Sequence, residues 1–146
     1  IEGGNEALIW RAMRKTKVVS AKEFEEAYKD YYQKCKTKYQ TGMILSNPGK
    51  RDDYSIAYSC GFLVGEITER LLSDHDLIGF WRTLFDQKRK RDDKYSIEDY
   101  FDLLAKRSRD KDSVSSLRKW IEQPSQIPGQ ELDRLLARTK GSKLVH

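Results

Sequence analysis

Apolar side chains recur at intervals of three and four residues along most of this chain, which is the spacing of one face of an α-helix. The longest stripe spans about four helical turns. No segment alternates apolar and polar residues with the period of two that a half-buried strand requires. The pattern predicts an all-α fold, a compact bundle of about seven helices. The longest stripe consists of Phe24, Tyr28, Tyr31, Cys35 and Tyr39.

Two helix starts carry a capping-box pattern. Ser20 and Glu23 are three residues apart, and so are Ser96 and Asp99. In such a box the first side chain accepts a hydrogen bond from the backbone of the second residue, and the second side chain returns one. We therefore expect one helix to begin just after Ser20 and another just after Ser96.

Other helix starts are predicted from single residues. Asp74 is expected to cap a helix over residues 75–88, in which His75 would be a polar residue of the first turn. Ser113 is expected to cap a later helix. Pro128 suits the first turn of the last helix, where a missing N–H costs nothing.

The length of 146 residues suits one ordinary domain. We expect a helical domain over residues 1–122, followed by a short terminal helix and a frayed tail over residues 123–146. The longest apolar run, residues 61–65, stops at Glu66. It falls far short of the roughly 20 apolar residues needed to cross a bilayer, so we expect no membrane span.

The net charge of +5 comes from 28 basic and 23 acidic residues that are interspersed along the chain. A nucleic-acid binder usually concentrates its positive charge on one face. The dense basic run at residues 88–91 is followed at once by two aspartates, so it is typical of a solvated helix end. We expect no nucleic-acid partner, and a basic nucleic-acid patch is the less favoured alternative.

The two cysteines, Cys35 and Cys60, both fall on apolar stripes of predicted helices. They do not form the Cys-x-x-Cys spacing of zinc or redox motifs. The favoured interpretation is two buried free thiols. A disulfide between them remains open at this stage.

Glu2 and Glu6 are one helical turn apart and would project to the same side of a helix. Two such carboxylates can bind a cation or an amine, and they are also what any helix favours at its positive N-terminal end. Neither histidine of the chain belongs to a His-x-x-x-His pair, so no local zinc motif is present. The residues alone favour an ordinary helix start.

Tyr58 lies near the start of a predicted helix, off the apolar stripe of that helix. Gly61 and Gly65 lie on the same side as Tyr58, one turn apart. Two glycines inside a helix cost about 1 kcal/mol each relative to alanine. We therefore predict close approach of another backbone or of a ligand beside Tyr58, with tight helix packing as the alternative.

These motifs together resemble the gluzincin zinc metallopeptidases, the group that contains the alanyl and glycyl aminopeptidases. Glu2-Gly3 is similar to the segment that carries the third zinc ligand of that family. Residues 58–61, Tyr-Ser-Cys-Gly, are similar to its Tyr-x-x-Gly helix start, at a comparable separation. Residues 77–85 and 95–101 also fit the pattern of the glycyl-aminopeptidase branch. The resemblance covers roughly residues 1–121, and the family's His-Glu-x-x-His is absent from the chain.

The resemblance implies a role for each matched residue. Glu2 would be the third protein ligand of a zinc ion, and Tyr58 would stabilise the oxyanion of the tetrahedral intermediate. Glu6 is a weaker candidate for binding the substrate amine. The other ligands would come from an upstream half of the same polypeptide, and the substrate would be a peptide. The chain would then begin at a cut just before the metal-binding glutamate, and by itself it would be inactive.

A non-enzymatic helical protein-interaction domain is the alternative function. Its support is the charge-rich surface and a predicted ridge of four tyrosines on the second helix. The ridge consists of Tyr28, Tyr31, Tyr32 and Tyr39.

Overall fold

The computed structural model describes residues 4–45, 54–90 and 96–140. The predicted all-α fold is confirmed: these residues form seven helices that pack against one another, and no strand occurs among them. The helices are α1 (Gly4–Lys15), α2 (Ala21–Lys38), α3 (Tyr54–Leu71), α4 (Leu77–Arg89), α5 (Ile97–Arg107), α6 (Lys111–Glu122) and α7 (Pro128–Thr139).

Both predicted capping boxes are present. The Ser20 side chain accepts from the backbone N–H of Glu23, whose carboxylate accepts from the backbone of Ser20. Ser96 and Asp99 make the same reciprocal pair at the start of α5. Pro128 is at the predicted place in the first turn of α7.

The two single-residue caps were predicted at the wrong positions. Asp76, rather than Asp74, caps α4 by accepting from the backbone N–H of Gly79 over 2.9 Å. His75 is therefore outside the helix, in a left-handed backbone conformation with φ of 51°. Asp110, rather than Ser113, caps α6.

α3 lies at the centre of the bundle and packs against α1, α2, α4, α6 and α7. All its residues from 59 to 69 are buried. A helix surrounded in this way buries polar as well as apolar positions, so a charged side chain on it needs a partner. None of the helices within residues 4–45, 54–90 and 96–140 is long and apolar enough to cross a membrane.

The terminal helix α7 packs against α6 and α3. Trp120 of α6 donates from its indole N–H to the carbonyl oxygen of Pro128 over 3.0 Å, and its ring stacks on Tyr39. Lys36 of α2 pairs with Asp133 of α7 at 2.9 Å. The proposed domain boundary at residue 122 stays a prediction.

The expectation of two free thiols was wrong, because Cys35 of α2 and Cys60 of α3 form a disulfide. Both residues are fully buried, as the apolar stripes predicted. The stripes placed each cysteine on an inward face, but they contained no information on which inward faces meet.

Candidate functional site

The order of contacts along α1 and α3 indicates that the two helices run in the same direction, with their N-terminal ends at one end of the bundle. Near that end Tyr31 of α2 contacts both helices. Its hydroxyl donates to the Glu6 carboxylate over 2.8 Å, and its ring stacks on Phe62 with centroids 4.3 Å apart. Further along, Arg11 of α1 binds Glu66 of α3. The contacts follow the same order along both helices.

Glu6, the weak candidate for substrate binding, is held in place by α2. The indole N–H of Trp10 donates to the Tyr31 hydroxyl over 3.2 Å, and this hydroxyl donates to Glu6. Burial of Tyr31 and its bond to Glu6 raise the pKa of the phenol, so it stays protonated and remains the donor. Glu2, the predicted metal ligand, lies outside the described residues.

Tyr58, the predicted oxyanion-stabilising residue, begins the second turn of α3 and is 41% exposed. Its position off the apolar stripe is as predicted. Two residues later, Cys60 joins α3 covalently to Cys35 of α2. Gly61 and Gly65 are both buried. The Tyr58 side chain is therefore exposed on a turn whose inner side is tied to α2.

Three charged side chains form a buried ionic network between α1 and α3. Arg11 donates from Nε and Nη2 to the two carboxylate oxygens of Glu66, over 2.9 and 2.6 Å. The same guanidinium contacts the carboxylate of Glu69. Glu66 is fully buried, and Arg11 and Glu69 are each only 8% exposed. One positive charge is thus shared by two buried carboxylates.

Glu69 is the carboxylate of this network whose pKa is clearly raised, mainly because it is buried. Burial, with a smaller contribution from the nearby charges of Glu66 and Asp76, raises the pKa of Glu69 to about 7 against the opposing effect of Arg11. Burial alone would lower the pKa of Arg11, but its bonds to Glu66 and the charges of both glutamates raise it. Arg11 therefore stays charged, and Glu69 exchanges a proton near pH 7.

The apolar pattern gave no direct sign of this network, because Glu66 stands only as the end of an apolar run in the sequence. A usable signal was present: α3 has apolar residues on several faces, as a fully surrounded helix does. A glutamate within such a helix is buried and needs a cation from a neighbouring helix. The sequence did not indicate that Arg11 of α1 would be that cation.

Among the residues that the structure describes, no three His, Cys, Asp or Glu side chains are grouped closely enough to hold a metal ion. A catalytic zinc requires three protein ligands, so these residues alone do not make such a site. Comparison with protein-family models, with curated proteins and with solved structures finds no match to this chain.

Proposed function

We propose that this chain is part of a zinc-dependent metallopeptidase of the gluzincin type, most simply an aminopeptidase that removes residues from peptide N-termini. It would carry the third zinc ligand, Glu2, and the oxyanion-stabilising Tyr58. The remaining ligands would come from a His-Glu-x-x-His helix in an upstream half of the same polypeptide.

The parallel arrangement of α1 and α3 is the observation that carries this proposal. Both helices begin at the same end of the bundle, where Tyr31 links Glu6 to Phe62. Glu2 is four residues before Glu6 in the sequence, as Tyr58 is four residues before Phe62. An antiparallel pair would separate Glu2 from Tyr58 by the length of a helix, whereas a parallel pair is compatible with one shared site.

The chemistry divides between the metal and the protein. A bound zinc ion would polarise the scissile carbonyl and lower the pKa of a bound water. Tyr58 would donate a hydrogen bond to the oxygen that becomes negatively charged, a contact that strengthens in the transition state. Its exposure of 41% leaves it accessible to a substrate. The Cys35–Cys60 disulfide would hold the backbone of this turn in position.

The test uses the complete polypeptide with its upstream half and a series of aminoacyl substrates. Tyr58→Phe should lower kcat by about 100-fold or more with little change in KM, because it removes a contact made only in the transition state. Glu2→Gln should lower the zinc content measured by atomic emission. An unchanged kcat in the Tyr58→Phe enzyme would refute the assignment of that residue.

Tyr28→Phe is the matched control. It also removes one phenol hydroxyl, but that hydroxyl is bonded to Arg70, near the opposite end of α3. Its kcat should stay within about twofold of the parent enzyme. If the sequence upstream of Ile1 contains no His-Glu-x-x-His, the peptidase proposal fails as a whole.

The helical interaction domain remains the alternative, but the tyrosine ridge gives it less support than the sequence suggested. Tyr28 and Tyr31 pack against Phe62, and Tyr39 is buried against Trp120. The ridge therefore contributes mainly to the core rather than to a free docking face.

A further inference from the structure

A cavity of about 470 Å³ lies at the opposite end of α1 from Glu6. Its walls come from the last turn of α1, the residues that follow it, the end of α3 and the start of α4. Its charged and polar lining includes Arg14, Lys15, Lys17, Glu69, His75 and Asp76.

The cavity contains more positive charge than its own acidic groups balance. Arg11, which also lines it, is already bound to Glu66 and Glu69. Arg14, Lys15 and Lys17 add three further cations. Asp76 uses one carboxylate oxygen to cap α4, and Glu69 is only partly ionised near pH 7. The lining therefore attracts anions.

Arg14 contributes a guanidinium to this wall. Its Nε is buried and has no hydrogen-bond partner among the described residues. A ligand in the cavity would therefore reach this guanidinium through its terminal nitrogens. Arginine and phosphate match in geometry, because the guanidinium presents a planar fork of donors.

The backbone around the cavity is also unusual. Lys17 and His75 are the only non-glycine residues with positive φ in the described parts of the chain, at 63° and 51°, and both line this cavity. Such conformations persist where the surroundings hold them. His75 is held by its Nδ1–H, which donates to the carbonyl oxygen of Glu69 over 3.1 Å. The segment that carries His75 is thus held by a contact with the end of α3.

We propose that this cavity binds a phosphorylated small molecule, with the guanidinium of Arg14 and the ammonium groups of Lys15 and Lys17 as the cations that bind and neutralise the phosphoryl group. The volume exceeds that of a single tetrahedral ion and falls in the range of small-molecule sites, so it leaves room for an organic part. The assignment does not depend on the peptidase proposal, because it uses a different set of residues.

Isothermal titration calorimetry on the 146-residue chain tests the proposal with inorganic phosphate and with glycerol 3-phosphate. The ionic strength is kept at about 0.15 M with sodium chloride, so that long-range attraction is screened. We expect glycerol 3-phosphate to bind with a Kd of about 1 mM or lower. Tighter binding of the ester than of the free ion would identify an organic phosphate as the ligand, and equal binding would assign recognition to the phosphoryl group alone.

Three variants distinguish binding in this cavity from general attraction of anions to the positively charged protein. Arg14→Gln should weaken binding about tenfold or more, because it removes a charge-assisted bond. Lys17→Gln should weaken it about threefold or more, and its exposed position protects the fold if Arg14→Gln is unstable. Lys34→Gln, which removes the same charge from an exposed position of α2, should change it less than about twofold.

Two results would overturn the proposal. One is the absence of heat from either phosphate compound beyond the chloride control. The other is an equal loss of affinity in Lys17→Gln and Lys34→Gln, since that would show attraction to net charge rather than to this cavity.

Discussion

The protonation of Glu69 makes a specific prediction about how stability depends on pH. In the unfolded chain this carboxyl has its ordinary pKa of 4.5, and in the folded chain burial raises the pKa to about 7. Between these values the folded protein keeps a proton that the unfolded chain has released. Stability from this group is therefore fully present below about pH 4.5 and is lost as the pH rises through about 7.

The size of the effect follows from the shift. Each pKa unit corresponds to about 1.36 kcal/mol, so the change from 4.5 to about 7 amounts to about 3 kcal/mol. The group is only 8% exposed, so solvent screens little of this energy. For a chain of this size, about 3 kcal/mol is a large part of the whole free energy of unfolding.

Urea unfolding over a series of pH values, on the parent chain and on Glu69→Gln, measures the effect. Glutamine has almost the same shape but never ionises. Between about pH 4.5 and 8, the free energy of unfolding of the parent should fall by about 3 kcal/mol relative to the variant. Glu25→Gln replaces an exposed glutamate, and its free energy of unfolding should depend on pH in the same way as that of the parent.

Two outcomes would refute this reasoning. Parallel pH profiles for the parent and Glu69→Gln would mean that Glu69 is ionised throughout, with Arg11 neutralising both carboxylates. A parent that gains stability relative to the variant as the pH rises would mean that the Arg11–Glu69 contact outweighs burial. A further check is Glu66→Gln. In this variant Glu69 is the one carboxylate of the network that Arg11 neutralises, so the pH-dependent loss of stability should be smaller.

Two further predictions concern the contacts that hold the helices of the bundle together. Replacing both Cys35 and Cys60 by alanine should lower the free energy of unfolding by about 3 kcal/mol, because the disulfide closes a loop with a separation of 25 residues. Urea unfolding measures it, and an unchanged midpoint on adding reductant to the parent would contradict it. Trp120→Phe should cost about 2 kcal/mol, since it leaves the carbonyl of Pro128 without its buried donor. Trp10→Phe, at a half-buried indole, should cost less than half as much, and an equal cost would show that the bond to Pro128 is not responsible.

The helices were predictable because their signals are local. Apolar spacing and capping boxes involve residues within one or two turns, so Ser20 and Ser96 mark their helix starts reliably. The caps at Asp74 and Ser113 failed because a suitable capping residue also lies within three residues of each. In the structure Asp76 and Asp110 take these positions.

The candidate site was predictable only in part. Tyr58 lies off the apolar stripe of α3, and the structure shows that its side chain is exposed. The predicted close approach of a ligand beside it stays a prediction. The neighbours of Glu6 were not predictable, because Tyr31 is 25 residues away in sequence and belongs to the apolar stripe of another helix. The parallel direction of α1 and α3, on which the proposed function rests, has no local signal at all.

The sequence by itself determined that the chain is helical, where three of the helices begin and which faces turn inward, because these depend on the spacing of neighbouring side chains. Only the tertiary structure decided which inward faces meet. It paired Cys35 with Cys60, and it placed two carboxylates of α3 against one arginine of α1. The raised pKa of Glu69 results from this packing, because burial and neighbouring charges exist only after the helices have packed.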